Sequence, residues 1–161
     1  KDTFYYAHSA LLYEEYSIFY ELHQFHLDSF QEEKMRKFGL HRTFAKSFFE
    51  VGMIQSAENG IDKLLQFQAD QLNYFGLGNK LYLPNAENSY VEYGYQNDKY
   101  YLNILYGQTK YERIYTAQEL DLSLTYKIDP NWSIDTHLLR EENDQDKITL
   151  LSISLNYEIG K

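Results

Sequence analysis

Apolar and polar residues alternate strictly along the last third of the chain. Residues 119–128 place Leu122 and Leu124 on one side of the backbone and polar residues on the other, and residues 132–139 and 151–159 repeat this pattern. A period of two is typical of a β-strand with one apolar face. An Asp-Pro-Asn turn separates the first two segments. The pattern therefore predicts three antiparallel strands in a meander.

Weaker alternation predicts further strands upstream. The segments concerned are residues 3–12, 16–23, 38–41, 49–54, 65–70, 91–96 and 100–107. Two stretches, residues 10–20 and 61–75, also suit a helix, and residues 10–20 suit a turn at Glu14 and Glu15. Polar stretches at 109–118 and 140–147 are predicted to be longer loops, whereas 97–98 and 129–131 are predicted to be short turns. We expect one all-β domain over residues 1–161, with about 8–10 strands.

Alternation does not say whether the apolar face points into a core or out to lipid. The polar positions are rich in Ser, Thr, Asn, Gln and Glu rather than Lys, whereas the solvent face of a soluble sheet usually carries many Lys and Glu residues. Short turns are predicted to alternate with longer loops, as in membrane barrels. Aromatic residues make up 17% of the chain and several lie toward predicted strand ends: Tyr95, Tyr100, Tyr111, Tyr115, Tyr126, Trp132 and Tyr157. These features favour a transmembrane, antiparallel up-and-down β-barrel.

Residues 88–159 resemble the C-terminal strands of outer-membrane β-barrel porins of the OprD-like and major-outer-membrane-protein type. The resemblance lies in the pattern AQELDLSLTYKIDPNWSIDTHLLREENDQDKITLLSISLNYEI. It implies a barrel in the bacterial outer membrane that contacts the lipid bilayer and lipopolysaccharide. It also implies passive passage of small hydrophilic solutes, with oligomer formation possible.

Barrel size bears on this function. A barrel of about 8–10 strands has an interior that is filled by side chains or holds at most one small ligand, whereas an open aqueous pore needs about 16 strands. The chain is therefore expected to be either a small barrel or the C-terminal portion of a larger one. A small barrel acting as an adhesion or structural module, and a soluble β-barrel carrying an apolar ligand, are the alternative functions.

Charged residues at the polar positions are the candidate functional residues. In a membrane barrel they face the lumen, where they form a paired network or a charged constriction. These lumen-facing candidates are Glu92, Glu119, Asp121, Lys127, Asp135, His137 and Glu158. One basic cluster, Arg36, Lys37 and Arg42, is a candidate for attracting anionic solutes or lipopolysaccharide phosphate.

Composition and spacing argue against other chemistry. The formal charge of −9 disfavours nucleic-acid binding, and the absence of cysteine excludes disulfides and thiolate zinc sites. His23 and His26 point to opposite faces of a strand and cannot chelate one ion. His8 and Ser9 likewise diverge and form no catalytic dyad. We therefore expect no enzyme activity, no cofactor and no metal.

Overall fold

Nine antiparallel strands make up the described part of the chain. The computed structural model describes residues 3–26, 32–56, 85–111, 115–143 and 145–158. The strands are β1 (Thr3–Tyr13), β2 (Tyr16–His26), β3 (Glu32–Thr43), β4 (Ser47–Ser56), β5 (Glu87–Gln96), β6 (Tyr100–Tyr111), β7 (Tyr115–Lys127), β8 (Trp132–Asn143) and β9 (Lys147–Tyr157). Each strand pairs with its neighbours in sequence, so the sheet is a meander. The all-β prediction is confirmed for the described residues, whose nine strands fall within the predicted range of 8–10.

The sheet is open, so the predicted closed barrel is not what the structure contains. Among the described residues, β1 pairs only with β2 and β9 only with β8. In a meander all odd-numbered strands run in the same direction. Direct closure would therefore place β1 and β9 in a parallel ladder, unlike the eight antiparallel pairs.

Short turns join the strands at one end of the sheet, which we call the short-turn end. Glu14 has a positive φ of 52° in the tight β1–β2 turn, so residues 10–20 hold a turn and not a helix. Asn97 Oδ1 accepts hydrogen bonds from the backbone N–H groups of Lys99 and Tyr100. The β7–β8 turn is held in the same way, through Asp129 Oδ1. Side-chain caps of this kind explain why Asn and Asp occupy these turns.

The prediction of two longer loops at the opposite end of the sheet, which we call the far end, is wrong. Strand β6 continues to Tyr111 and β7 starts at Tyr115, so most of residues 109–118 is strand. Strand β8 likewise continues to Asn143, and β9 starts at Lys147. At the far end both faces of the strands are polar, so the backbone ladder continues where the sequence no longer alternates. The predicted strand 65–70 and the ambiguous residues 61–75 lie outside the described residues.

The pairing register assigns each residue to one of two faces. Directly opposed residues share a face, and Leu151 opposes Leu138, which opposes Leu122. The predicted apolar set therefore shares one face, the apolar face: Leu120, Leu122, Leu124, Leu151, Ile153 and Leu155. The other face, the polar face, holds Ser123, Thr125, Ser152, Ser154 and Asn156.

The polar face of the sheet is buried and the apolar face is exposed, which is the reverse of the arrangement in a soluble protein. Every buried strand side chain among the described residues lies on the polar face: Phe19, Met35, Lys37, Ile54, Asn88, Tyr90, Leu105, Thr109, Ala117, Glu119, Leu139 and Glu141. On the apolar face, Leu151 is 64% exposed and Ile153 is 69% exposed. The few exposed large apolar side chains of the polar face lie mainly on the edge strands β1 and β9: Tyr6, Leu12, Tyr101, Ile148 and Leu150. The packed side of this sheet is thus its polar side.

Within the described ranges, no helix is long and apolar enough to cross a membrane.

Candidate functional site: the apolar band and the polar face

The apolar face carries a band of apolar residues, which we call the apolar band, and its width is the same on five of the nine described strands. On five strands it spans seven residues, with four alternate side chains on the apolar face. These segments are residues 16–22, 100–106, 120–126, 132–138 and 151–157. Thr136 is the one polar residue among their twenty apolar-face positions. Seven residues of strand extend about 20 Å.

The apolar band runs obliquely across the strands. Following opposed residues from Tyr16 on β2 leads across six strand pairs to Leu138 on β8. The aromatic residue that ends the band on β8 is Trp132, which lies six residues before Leu138. A shift of about 20 Å along the strands over about 29 Å across them corresponds to a strand tilt of about 35°. The apolar band is therefore parallel to a plane whose normal makes an angle of about 35° with the strands.

Aromatic side chains end the apolar band at the short-turn end. Tyr100 and Tyr126 stack with ring centroids 5.1 Å apart, and Trp132 lies 4.7 Å from Tyr157. On β3, Arg42 replaces the aromatic residue, and its guanidinium lies 4.6 Å from the Tyr16 ring. We call this set the aromatic rim: Tyr13, Tyr16, Tyr95, Tyr100, Tyr126, Trp132 and Tyr157. Tyr111 and Tyr115, grouped with it from sequence, instead stack on the polar face at the far end.

Glu50 is the centre of the most connected cluster on the polar face. Its Oε1 lies 2.9 Å from Lys37 Nζ and accepts a hydrogen bond of 2.7 Å from the Tyr90 hydroxyl. Its Oε2 lies 3.1 Å from His41 Nδ1. The Lys37 side chain is only 3% exposed, and its ammonium lies 4.9 Å from the centre of the Phe19 ring. This buried cation is thus compensated by a carboxylate and by aromatic faces.

Glycines make room for the aromatic rings of this cluster. Gly52 opposes Tyr90, and a Cβ at Gly52 would lie 2.5 Å from the Tyr90 hydroxyl oxygen. Gly39 opposes Phe19 in the same way, with 2.9 Å to the ring. A ring lying across an opposed glycine brings its far end to the next strand. This explains how Tyr90 on β5 reaches Glu50 on β4.

We expect Gly52→Ala to weaken the Glu50 cluster by displacing Tyr90. The added methyl would overlap the Tyr90 hydroxyl, and overpacking of this kind costs about 1–3 kcal/mol. The measurement is the free energy of unfolding in urea, followed by the fluorescence of the single Trp132. In a Tyr90→Phe background the same substitution should cost less. Equal costs in both backgrounds would exclude an effect through the hydroxyl.

Three further polar pairs cross the strands toward β9. Asn103 donates a hydrogen bond of 2.8 Å to Glu92 Oε1. His137 Nε2 lies 2.6 Å from Asp121 Oδ1. Asn156 donates to Asp135 Oδ2, and the other oxygen of Asp135 has no hydrogen-bond partner. The carboxylates of this region are therefore held mainly by neutral or titratable partners rather than by Lys or Arg.

All six strand-borne lumen-facing candidates lie on the polar face, and Glu158 directly follows β9. Among these candidates, Asp121 and His137 are brought into contact with each other. Glu119 is buried, at 8% exposure, whereas Lys127 and Glu158 are exposed. A cavity of about 720 Å³ opens at the short-turn end, and Lys127, Asp135 and Glu158 line it.

Sequence reasoning missed the Glu50 cluster. It also grouped Arg36, Lys37 and Arg42 as one basic cluster, which is wrong. Arg36 and Arg42 lie on the apolar face, whereas Lys37 lies on the polar face. Strand parity is the signal that separates them, since odd and even positions point to opposite sides.

No metal-binding constellation of three or more His, Cys, Asp or Glu side chains occurs among the residues that the structure describes. Comparisons of the chain with known protein families, curated proteins and solved structures find no match.

Proposed function

We propose that this chain forms part of the wall of a bacterial outer-membrane β-barrel. In this proposal the apolar face contacts lipid and the polar face lines a passage for small hydrophilic solutes. The chain acts in passive permeation and not as an enzyme. The observation that carries the proposal is the inversion of burial, in which buried carboxylates and Lys37 face one way and exposed leucines the other.

An aqueous environment on both faces fits this inversion poorly. Soluble monomers rarely expose contiguous apolar patches larger than a few hundred Å². Here the exposed apolar residues include Leu11, Ile18, Leu151, Ile153 and Leu155, on both edges of the sheet. A soluble barrel carrying an apolar ligand would need this face inside, and it is the exposed one. Lipid would cover the whole band at once.

Strand length and tilt support a membrane setting independently. The nine strands have 10 to 13 residues, about twice the usual length in globular proteins. A strand that crosses a bilayer at a slant needs about 9–11 residues. The slant of about 35° obtained from the oblique band lies at the lower limit for outer-membrane barrels. The aromatic rim matches the girdle found at a membrane interface.

The edge strands favour a closed wall. Strands β1 and β9 contain no proline. Lys147 is their only charged residue and His8 their only histidine. Natural edge strands are usually blunted by such residues to prevent pairing. We propose that both edges are paired in the native barrel. A water-filled passage further requires a wall of about 16 strands, wider than these nine.

Insertion into lipid is the direct test of this proposal. Refolded protein should float with vesicles of phosphatidylcholine in a density gradient and resist protease. It should also migrate differently in gels when unheated, as folded membrane barrels do. Protein that remains soluble and monomeric without detergent, and that does not associate with vesicles, would contradict the proposal.

We expect the carboxylates of the polar face to favour cations in the passage. Replacing Asp121 and Asp135 with asparagine should lower the cation-to-anion permeability ratio roughly twofold or more, because fixed lumen charges set ion preference. The measurement is the reversal potential of planar bilayers in a KCl gradient. Glu87→Gln removes one carboxylate from the apolar face and is the control for Asp135→Asn. Equal effects of these two single changes would count against a passage along the polar face.

A further inference from the structure

Beyond the apolar band, the apolar face is basic at the far end. Among the described side chains of the apolar face at the far end, five are cationic and two are acidic. The cations are Lys34, Arg36, Lys110, Arg140 and Lys147, and the acids are Glu87 and Glu142. At the short-turn end the apolar face carries the cation Arg42, and the turns there hold the acids Glu14, Glu15, Asp98 and Asp129 and the lysines Lys46 and Lys99. This positive region stands out in a chain with a net charge of −9.

The cations lie one or two alternate positions beyond the end of the apolar band. Arg36 is two residues beyond Phe38, the last apolar-band residue of β3, and Arg140 is two residues beyond Leu138 on β8. Lys110 and Lys147 lie one alternate position further out on β6 and β9. They follow the oblique course of the band and not a single row of opposed residues. In the proposed membrane, this is the level of the lipid headgroups.

These side chains are available to a ligand outside the sheet. Arg36 and Lys110 are exposed, and the side chains of Arg140 and Lys147 are 48% and 53% exposed. Both of the latter lie 3.0 Å from the same carboxylate, that of Glu142. One acid shared by two cations leaves a net positive charge and holds the two groups side by side. Long basic side chains also extend readily from an apolar surface toward headgroups.

We infer that Arg36, Lys110, Arg140 and Lys147, the cationic belt, bind the phosphate groups of lipopolysaccharide in the surrounding leaflet. This inference rests on the proposed membrane insertion and adds a lipid partner for one end of the sheet. Lipopolysaccharide carries several phosphates just above its acyl chains, and the cationic belt presents several cations at that depth along the wall. Charge complementarity therefore favours it over lipids with a single phosphate.

Binding of purified deep-rough lipopolysaccharide to the folded protein in a nonionic detergent tests the cationic belt. The double substitution R36Q/K110Q should weaken binding tenfold or more, and higher salt should weaken wild-type binding. The control, K46Q/K99Q, removes the same charge from the short-turn end and should stay within twofold of wild type. Equal binding by R36Q/K110Q and wild type, or an equal loss in the control, would overturn the inference.

Two further measurements make the outcome specific. If phosphatidylglycerol competes as effectively as lipopolysaccharide for the wild-type protein, the assignment to lipopolysaccharide is wrong. Flotation of all variants with neutral phosphatidylcholine vesicles tests insertion separately. Failed insertion of the wild type would overturn the proposed function and this inference together. Insertion of every variant with unchanged lipopolysaccharide binding would overturn this inference alone.

Discussion

Replacing Glu50 with alanine should destabilise the sheet by about 3–5 kcal/mol, because a buried charge that loses its counter-charge is costly. Lys37 lies 2.9 Å from Glu50, and its side chain is only 3% exposed. The Tyr90 hydroxyl would lose its acceptor at the same time. The measurement is the midpoint and slope of urea unfolding in detergent micelles, followed by Trp132 fluorescence.

Two variants separate loss of the charge pair from general loss of packing. The double replacement K37M/E50L removes both charges and should cost less than Glu50→Ala alone. Glu142→Ala removes an exposed carboxylate with two cationic neighbours and should change stability little. If K37M/E50L proved as unstable as Glu50→Ala, the buried ammonium would not be the source of the cost.

Ile153→Arg should cost about 2–4 kcal/mol in a bilayer, the penalty for a cationic side chain at the lipid face of a barrel. Ile153 lies in the middle of the apolar band on β9 and is 69% exposed. In water, an arginine at so exposed a position would be tolerated. The size of the loss therefore reports the solvent on the apolar face.

Ser154→Arg is the matched control for Ile153→Arg. Ser154 is the next residue along β9 and points to the polar face. An arginine there should cost much less, because it meets water and the neighbouring carboxylate of Asp135, which Ser154 opposes. Unfolding of both variants from vesicles gives the comparison. Equal stability of the two would indicate that both faces of β9 contact the same solvent.

Most of the fold could be predicted from strand periodicity. Residues 119–128 alternate because one face is apolar and the other polar, and the register confirms that Leu122 and Leu124 share one face of the sheet. The same signal fails where both faces are polar. Gln118 and Glu142 oppose each other within the ladder, yet their sequence neighbourhoods resemble loops. Pairing of the two edge strands, β1 and β9, depends on long-range contacts, for which alternation carries no information.

The candidate site was predictable only in part. Parity correctly places Asp121, Asp135 and His137 on the polar face, since adjacent strand residues point to opposite sides. The contact of His137 with Asp121 depends on the β7–β8 register, which the sequence does not determine by itself. The Glu50 cluster joins four strands, β2 to β5, from distant parts of the chain. Only the order of these strands in the sheet brings the members of the Glu50 cluster together.

Site-directed spin labelling of β9 tests the central claim most directly. The chain has no cysteine, so single cysteines at positions 151 to 156 can be labelled without background. In vesicles we expect oxygen, which dissolves in lipid, to relax labels at positions 151, 153 and 155. A water-soluble nickel chelate should instead relax labels at 152, 154 and 156. Accessibility of positions 151, 153 and 155 to the nickel chelate, or loss of the alternation, would contradict the account.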